Sequence, residues 1–499
     1  MEPFHVFVYC NPSSGGNKAR ELLHLPIQKT NFAYEDQNLN YNIQVRIYDL
    51  KTKESREEGF KELFEFKKTG AKIRAVAAGG DGTVKWVISE LVKIECIDIA
   101  IGVIPFGTGN DLARVLGWGS TAPDPLIGGA DMHALKDIIS ALASGEEVTF
   151  DVWQVTTKVN EETGRIEIVH KEEGIIERPD QKKALVEHMI NYCSFGQDAR
   201  AVFGFERHRR QSQFLNKVQF ALEGGKLSMN GRKLTGASIQ IGKNLDEKVS
   251  DDFNIATLQG IIFQNIPSYA AGSDFWDAKE RWTPGDVYTH QHVGDSNFEV
   301  HGLKRVIDIG LHKATLGTRD ATVRLAQTSR MHLSFGDTQK HPVYMQIDGE
   351  PARLVDPEFC EIEPGFRAKM VFKNVTKTLL LKKFGKNVII HSGYVLKARK
   401  RLERDSWNSR FLVILEKKEG KRYLEWYLNE QQRGSIEILK DGKLNEHIEV
   451  SKYDHDGPRQ NTCFSVKYRH RTFHFSCLDQ NERDAWLNAI GYEKNTADG

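Results

Sequence analysis

Apolar positions in the first third of the chain predict strands that alternate with helices. Short apolar runs at residues 6–9, 73–78 and 99–104 indicate buried strands, and a loop follows each of them. Residues 55–68 and 84–92 carry apolar side chains at helical spacing. This order of strand, loop and helix favours a parallel sheet with right-handed crossovers. We therefore expect an N-terminal α/β domain.

The middle of the chain, from about residue 148 to residue 373, has a different pattern. Helical signals are few there, and residues 214–222 carry the clearest one. Strand signals dominate, and the strongest lie at residues 152–159, 166–170, 260–264, 306–311 and 343–347. Such patterns are typical of antiparallel sheets, so we expect a mostly antiparallel, β-rich second domain.

The C-terminal part of the chain predicts a small β-barrel capped by a C-terminal helix. Residues 424–428 and 473–477 alternate apolar and polar side chains, as half-buried strands do. A helical apolar stripe that includes Trp486 follows Asp479, and Glu482 stands three residues after that aspartate. Asp479 and Glu482 match a capping box. We expect Trp486 to be a core residue of this module.

Composition and charge narrow the class of protein. The chain has 499 residues, of which 39% are hydrophobic and 27% are charged. These values fit a globular protein of about three domains. The formal net charge of +1 gives no reason to expect a nucleic acid partner. The 6 cysteines include no CxxC pair, so we expect buried, reduced thiols and no zinc site.

The sequence predicts a cytoplasmic protein that reaches membranes only by peripheral recruitment. Its N-terminus lacks the basic region and long apolar stretch that mark a signal peptide. No apolar run in the sequence approaches the roughly 20 residues that a membrane-spanning helix needs.

Two glycine-rich loops carry the strongest chemical signal. Gly79–Thr83 lies between a buried strand and a helix, and residues 107–111 (Gly-Thr-Gly-Asn-Asp) follow the next strand. Glycines let the backbone approach a phosphate, and a helix N-terminus attracts it. Asp81 adds a carboxylate that can hold magnesium or accept a hydroxyl proton. Because loops at this edge of a parallel sheet converge on one crevice, we predict a nucleotide-binding site in the α/β domain.

Together with other segments, these loops resemble the catalytic and accessory domains of diacylglycerol kinases. The matching motifs are residues 11–16, 79–83 and 107–114 in the catalytic part and residues 191–199, 261–272 and 346–351 in the accessory part. The resemblance implies ATP-dependent phosphorylation of diacylglycerol to phosphatidic acid at a membrane surface, in lipid signalling. Two alternatives stay open: a ceramide or sphingoid-base kinase, and a catalytically silent lipid-binding scaffold.

The same resemblance implies roles for individual residues. Asp81, Asp348 and Glu350 would be the catalytic carboxylates, and which of them is the general base stays open. Asp81 and Asp348 would hold Mg²⁺. The residues that would bind ATP all lie in the three loops of the first domain, and they are Asn11, Ser14, Gly15, Gly79, Gly80, Gly82, Thr83, Gly107, Thr108, Gly109, Asn110 and Asp111. Asp151 is either an acid near the cleft or a strand-end residue that satisfies a local N–H.

Residues 391–492 resemble a pleckstrin-homology domain. Such a module implies that Lys397, Arg399 and Arg410 bind an anionic lipid headgroup at a membrane surface, with phosphoinositides as candidates. The sequence has neither zinc-module spacing nor an EF-hand loop, so regulation by calcium is not expected. The predicted domains are 1–147 (catalytic, ATP-binding), 148–378 (accessory), 379–390 (linker) and 391–492 (pleckstrin-homology-like).

Overall fold

The chain divides into two compact units in the computed structural model. One unit comprises residues 1–278 and 290–373, and the other comprises residues 279–289 and 374–499. The residues that the structure describes are 3–25, 29–36, 39–107, 109–122, 126, 133–170, 173–178, 180–207, 232–249, 254–276, 288, 291–314, 321–336, 341–373, 388–398, 407–417, 421–428, 431–440, 443–453, 462–477 and 480–490.

The first unit contains helices and strands from both predicted kinase domains. Its helices are α1 (Lys53–Lys68), α2 (Asp81–Lys93), α3 (Asp111–Val115), α4 (His133–Ser144), α5 (Gln197–Arg207) and α6 (Ile307–Ala314), with 3-10 segments at Lys18–His24 and Ile255–Thr257. Its strands are β1 (Phe4–Cys10), β2 (Lys29–Asp36), β3 (Leu39–Asp49), β4 (Lys72–Gly79), β5 (Ile101–Pro105), β6 (Glu146–Val159), β7 (Arg165–His170), β8 (Gly174–Glu177), β9 (Ala184–Met189), β10 (Tyr192–Gly196), β11 (Ser238–Ile241), β12 (Glu247–Lys248), β13 (Gly260–Gln264), β14 (Phe298–Leu303), β15 (Val323–Thr328), β16 (Met331–Ser334), β17 (Val343–Ile347), β18 (Glu350–Val355) and β19 (Pro357–Phe372).

The first sheet confirms a parallel arrangement in the N-terminal region. Strands β3, β1, β4 and β5 are neighbours in that order, and all three pairings are parallel. Every residue of β1 and β5 is buried, as expected when helices cover a parallel sheet. The sheet continues through β19, which lies parallel to β5 and antiparallel to β6 and β16. The carboxyl ends of β1, β4 and β5 therefore lie along one edge.

The second sheet is antiparallel throughout, in the order β15-β14-β13-β10-β17-β18-β7-β8. It encloses a second hydrophobic core with buried aromatic residues such as Phe195, Phe263 and Phe298. Strands β10 and β17 lie near its middle and pair with each other. Two accessory motifs, residues 191–199 and 346–351, lie in or beside these two strands, so the sheet fixes their positions.

One predicted strand in this region is wrong. Residues 306–311 belong mainly to helix α6 (Ile307–Ala314). Val306 and Ile309 are buried, three positions apart, whereas Ile307 is 42% exposed. A strand would place Ile307 and Ile309 on the same face, so the three-residue spacing of burial explains the helix. The predicted helix at residues 214–222 lies outside the described residues.

The second unit is an antiparallel β structure followed by a helix. Its strands are β20 (Val388–Ala398), β21 (Trp407–Lys417), β22 (Lys421–Leu428), β23 (Gln431–Lys440), β24 (Lys443–Leu444), β25 (Ile448–Tyr453), β26 (Cys463–Tyr468) and β27 (Arg471–Ser476). They pair in the order β24-β23-β22-β21-β20-β27-β26-β25. Helix α7 (Gln480–Ile490) places Trp486, which is 0% exposed, in a core with Phe464 and Phe475, as predicted. The expected capping residue Asp479 lies outside the described residues.

Two expectations about the whole chain can be compared with the structure. All six cysteines are free and buried, in agreement with reduced thiols. In the part of the chain that the structure describes, no helix has both the length and the apolar character to cross a membrane.

Candidate active site

Three loops meet at the carboxyl edge of the parallel strands. The amide Nδ2 of Asn11, just after β1, donates to Thr83 Oγ1 at 3.2 Å. The backbone N–H of Asn11 donates to Ala78 O at 3.0 Å, and that of Phe106 donates to Gly79 O at 2.9 Å. These bonds connect the loops that follow β1, β4 and β5. The structure thus brings together the three segments in which the ATP-binding residues were predicted.

Glycines are required where these loops touch. A Cβ added to Gly107 would lie 2.5 Å from the Cα of Gly80, closer than real Cβ atoms approach. Gly15 has a φ of +63°, and a Cβ there would lie 2.5 Å from Phe106 O. Gly82, in contrast, is exposed with open space around its Cα. The backbone of the second loop is therefore packed on one side and accessible on the other.

The remaining predicted ATP contacts lie in the same loops. A Cβ on Gly79 would lie 2.2 Å from Thr83 Oγ1, and one on Gly109 would meet no backbone atom. Ser14 donates its N–H to Asn11 O at 3.0 Å and so closes the turn after β1. Thr108 lies outside the described residues.

Asn110 shapes the third loop. Its φ of 50° is in the left-handed region, and its side-chain amide donates to Gly107 O at 2.8 Å and to Ser120 O at 2.7 Å. Only 1% of the residue is exposed. These two bonds hold the loop in a conformation that Asn adopts more readily than most residues.

Asp81 lies where the second and third loops meet. Its Oδ2 accepts the N–H of Asp111 at 3.0 Å, and its Oδ1 accepts the N–H of Leu112 at 3.2 Å. Burial, together with the neighbouring Asp111 carboxylate, raises the pKa of Asp81 to about 6. A carboxylate has about four acceptor sites, so Asp81 keeps acceptor capacity beyond these two bonds.

The neighbouring carboxylate of Asp111 is saturated instead. It accepts the N–H groups of Ala271 at 3.0 Å and Gly272 at 2.9 Å, and the hydroxyl groups of Ser268 and Tyr192. The residue is 2% exposed. All four donors come from the accessory motifs, so Asp111 attaches the third loop to the accessory region.

Asp348 is also surrounded by donors. Its φ is 52°, and its oxygens accept the N–H groups of Ile190 at 3.0 Å, Asn191 at 2.7 Å and Tyr192 at 3.2 Å. Lys85 Nζ lies 3.7 Å away, and the Asp348 side chain is 2% exposed. Burial raises the pKa of Asp348. The accessory motif at residues 346–351 therefore contacts the N-terminal domain, through Lys85.

Lys85 is a site residue that the sequence reasoning missed. It lies one turn after Asp81 on α2, and its Nζ is 3.5 Å from Glu187 and 3.7 Å from Asp348. Burial lowers the pKa of Lys85, but the adjacent Asp348 and Glu187 carboxylates outweigh it and raise the pKa above the usual value. The i,i+4 spacing from Asp81, which places both residues on one helix face, was the available signal. Glu350 lies nearby but is exposed.

Asp151 lies inside β6, and its carboxylate is bonded by two residues that are distant in sequence. It is 6% exposed and accepts the N–H of Ser296 at 2.6 Å and Nε of Arg367 at 3.0 Å. The carboxylate does accept an N–H, but the residue is not at a strand end and its partners are not local in sequence.

Magnesium fits one part of this arrangement. Among the described residues, no three His, Cys, Asp or Glu side chains are grouped to hold a metal ion. Mg²⁺ usually takes one or two carboxylates and completes its shell with waters and phosphates. Asp81, with spare acceptor capacity at the glycine loops, fits that mode. The oxygens of Asp348 accept three N–H groups and so keep less acceptor capacity than those of Asp81.

The residues predicted to bind a lipid headgroup lie in the second unit. Lys397 is in β20 opposite Asn408, and Arg410 is in β21 opposite Val395. Both residues therefore belong to one strand pair. Arg399 lies outside the described residues.

Models of protein families match three parts of the chain. The diacylglycerol kinase catalytic domain matches residues 5–155, the diacylglycerol kinase accessory domain matches residues 188–351, and the PH domain matches residues 389–495. The first two matches contain the glycine loops and the segments that surround Asp111 and Asp348.

Curated relatives are diacylglycerol kinases. Diacylglycerol kinase iota of Mus musculus is 30% identical over 391 residues, which are 76% of this chain and 32% of the relative. Diacylglycerol kinase zeta of Homo sapiens is 29% identical over 370 residues, 71% of this chain and 34% of the relative. The chain thus spans about a third of the length of these relatives. Among solved structures, the C-terminal PH domain of human pleckstrin matches 22% of this chain and 90% of its own, with 20% identity and a TM-score of 0.17.

Proposed function

The chain belongs to the diacylglycerol kinase family, and from that premise we propose that it transfers the γ-phosphate of ATP to the hydroxyl of diacylglycerol. The product would be phosphatidic acid. The observation that carries this proposal is the position of Asp81, which lies at the junction of two glycine loops with its pKa raised to about 6. The chain would work at a membrane surface, on the cytoplasmic side.

The three loops would hold the nucleotide. Asn11, Ser14 and Gly15 of the first loop and residues 79–83 and 107–110 of the others would surround the phosphates, because glycine backbone and a helix N-terminus offer N–H donors to anions. Helix α2, which starts at Asp81, would direct its N-terminus toward them. Asp111 would act indirectly, by fixing the third loop to the accessory region.

Asp81 would be the general base. The diacylglycerol oxygen would form a bond to the γ-phosphorus, the bond from that phosphorus to the β–γ bridging oxygen would break, and the hydroxyl proton would pass to the Asp81 carboxylate. A base with a pKa near the working pH is efficient, and about 6 is closer to 7 than the ordinary value of an aspartate. Bound Mg²⁺ would neutralise phosphate charge. If Asp81 held Mg²⁺ instead, its pKa would fall and another carboxylate, such as Glu350, would have to accept the proton.

Asp348, Lys85 and Glu350 would support the base. Asp348 binds three backbone N–H groups and attracts Lys85, so we assign it a positioning role in addition to its predicted place near the metal. Glu350 is exposed and would be free to meet the acceptor lipid.

The second unit would recruit the enzyme to the membrane. We propose that its sheet closes as a barrel capped by α7, and that Lys397, Arg399 and Arg410 bind an anionic headgroup such as a phosphoinositide. The placement of Lys397 and Arg410 on paired strands supports a shared site. Each basic residue near an anionic leaflet contributes about 1 kcal/mol to binding.

The test is lipid phosphorylation with labelled ATP. Full-length protein would be incubated with Mg²⁺ and mixed micelles that contain diacylglycerol, ceramide or sphingosine. The proposal expects label in phosphatidic acid, its loss in Asp81→Asn, and its retention in the control Asp246→Asn, since Asp246 is exposed. Label in ceramide phosphate or sphingosine phosphate would keep the mechanism and overturn the substrate. No label in any lipid would favour a scaffold.

A further inference from the structure

A cavity separate from the candidate active site lies in the accessory region, at the end of β17 that is opposite to Asp348. Its volume is about 210 Å³. The polar and aromatic side chains in its wall are Gln197, Arg232, Lys233, Thr235, His341 and Tyr344. Pockets for drug-sized ligands usually measure roughly 300–1,000 Å³, so this cavity suits a small polar group.

The strand register separates this cavity from the candidate active site. Strands β10 and β17 are antiparallel, with Cys193 opposite Ile347 and Phe195 opposite Met345. Tyr192, at the start of β10, contacts Asp348, whereas the cavity begins at Gly196. Four residues of extended strand span roughly 13 Å. A ligand in the cavity would therefore not occupy the predicted ATP site.

The cavity has uncompensated positive charge. Arg232, Lys233 and His341 are exposed, and within the described part of the chain none of them has an ion-pair or hydrogen-bond partner for its side chain. The nearest acid in sequence, Asp198, is 4% exposed and accepts the hydroxyl of Tyr269 at 2.7 Å. Two cations, Arg232 and Lys233, at one small cavity, with the adjacent acid bonded to Tyr269, favour an anion.

Gln197 adds a second and independent feature. The residue is 4% exposed, and its Nε2 donates to Arg232 O at 3.3 Å. That bond identifies the other amide atom as the oxygen, and this buried Oε1 has no hydrogen-bond partner. A buried acceptor without a partner costs roughly 1–3 kcal/mol. A ligand hydroxyl would satisfy it.

We propose that this cavity binds a phosphate monoester of a hydroxylated carrier such as glycerol. A phosphate monoester carries about −1.5 to −2 charge at neutral pH, more than a diester, and the two cations Arg232 and Lys233 match that charge better. Charge-assisted bonds from Arg and Lys would hold the phosphate. The donor to Gln197 would be a carrier hydroxyl in glycerol 3-phosphate or, in phosphatidic acid, where the other glycerol oxygens are acylated, the P–OH of the singly protonated phosphate. The ligand is either free, as glycerol 3-phosphate, or a lipid headgroup, as in phosphatidic acid.

The experiment compares a charge-removal variant with a matched control in the full chain. Arg232→Gln/Lys233→Gln removes two charges at the cavity, and Lys51→Gln/Lys243→Gln removes two from exposed lysines elsewhere. Calorimetry would measure binding of glycerol 3-phosphate, with glycerol as the phosphate-free reference. Co-sedimentation would compare phosphatidylcholine vesicles that contain phosphatidic acid with vesicles that contain phosphatidylglycerol at equal total charge.

The proposal expects at least a 10-fold weaker affinity in the cavity variant and no change in the control variant. A loss in the calorimetric arm identifies a free phosphate monoester, and a loss confined to phosphatidic acid vesicles identifies a lipid headgroup. Equal behaviour of both variants in both arms overturns the proposal. Thr235→Asp, which adds an anion to the wall without removing a cation, should produce the same loss, and thermal melting would verify that each variant is folded.

Discussion

In the loop region, the Asp81 carboxylate accepts two backbone N–H groups and keeps spare acceptor sites beside an exposed glycine. At the strand ends of the accessory region, the Asp348 carboxylate accepts three backbone N–H groups and attracts Lys85. Both side chains are aspartates with raised pKa values. They differ in how many donors the surrounding chain supplies.

On this difference we base the roles that we propose for the two aspartates, Asp81 as the base and Asp348 as a support. A carboxylate with unused lone pairs can take a proton or a cation, whereas one saturated by N–H groups mainly orders the backbone around it. Asp111 belongs to the second kind, since four donors from the accessory motifs contact it. Asp111 therefore attaches the third loop to the accessory region.

The largest expected effect is on activity, at Asp81. General base catalysis contributes about 10²–10⁴-fold, so Asp81→Asn should lower kcat/KM for diacylglycerol by about 10³-fold. Wild-type kcat/KM should also fall below pH of about 6, where Asp81 becomes protonated. Steady-state kinetics from pH 5 to 8 would measure both, with Asp246→Asn as the control. A kcat/KM for Asp81→Asn within threefold of wild type would contradict the role of Asp81 as the base.

The same residue should have a pH-dependent effect on stability. The pKa of Asp81 is raised to about 6 in the folded chain and is about 3.9 in an unfolded one. The folded state therefore binds the proton more tightly, and this stabilising contribution is complete below pH of about 4 and is lost as pH rises through 6. In urea unfolding at several pH values, the free energy of unfolding should decrease less for Asp81→Asn than for wild type as the pH rises through 6. An unchanged pH dependence would contradict the assigned pKa.

At Asp348 we expect the main effect on stability, whereas at Asp81 we expect it on catalysis. Asp348→Ala leaves three backbone N–H groups without an acceptor, and loss of a buried charged partner costs about 3 kcal/mol. The unfolding free energy should fall by that amount in urea titrations, and activity should fall with it. Glu350→Gln, at an exposed position, should change stability by less than about 0.5 kcal/mol. Equal effects of the two variants would show that Asp348 is not a support.

Gly107 tests the packed side of the loop region. Gly107→Ala would place a Cβ 2.5 Å from the Cα of Gly80 and force the two loops apart. A displacement of about 1 Å at a reacting site can lower the rate about 100-fold, and we expect a loss of that size in kcat/KM. Gly310→Ala, in a helix with open space around it, is the control. Normal activity of Gly107→Ala would mean that the loops need not touch.

The smallest effect is expected at Lys85, which connects the two regions. Lys85→Met leaves Glu187 and Asp348 without their cation and should lower activity about 10-fold, while Lys85→Arg should restore most of it. Kinetics at low and at high salt would separate a positioning role from surface electrostatics, because a side chain that is 15% exposed is screened little by salt. Equal activities of Lys85→Met and Lys85→Arg would show that the positive charge at this position does not affect catalysis.

Much of the fold follows from local pattern. The apolar runs at 73–78 and 99–104 predicted strands, and they lie within or beside β4 and β5. The sequence order of strands and helices predicted the parallel pairing. Residues 306–311 were assigned wrongly because valine and isoleucine favour strands, while the burial of Val306 and Ile309 depends on contacts that local pattern does not reveal.

The candidate site was only partly accessible to the same reasoning. The glycine loops could be located because positions such as Gly15 and Gly107 leave no room for a side chain, and that restriction selects the residue type directly. The i,i+4 spacing from Asp81 pointed to Lys85, but its partners Asp348 and Glu187 could not be predicted, because they are distant in sequence.

By itself, the sequence determined the parallel and antiparallel regions, the three loops and the family, since each depends on residue type at short spacing. Tertiary structure alone decided how many donors each acidic side chain accepts. The same residue type, aspartate, stands at positions 81, 111 and 348. The donors that distinguish the three carboxylates come from segments up to 161 residues away in sequence. The number of donors at each carboxylate depends on how strands and loops meet in space, so only the folded chain distinguishes the carboxylate that we propose as the base from those that we propose as supports.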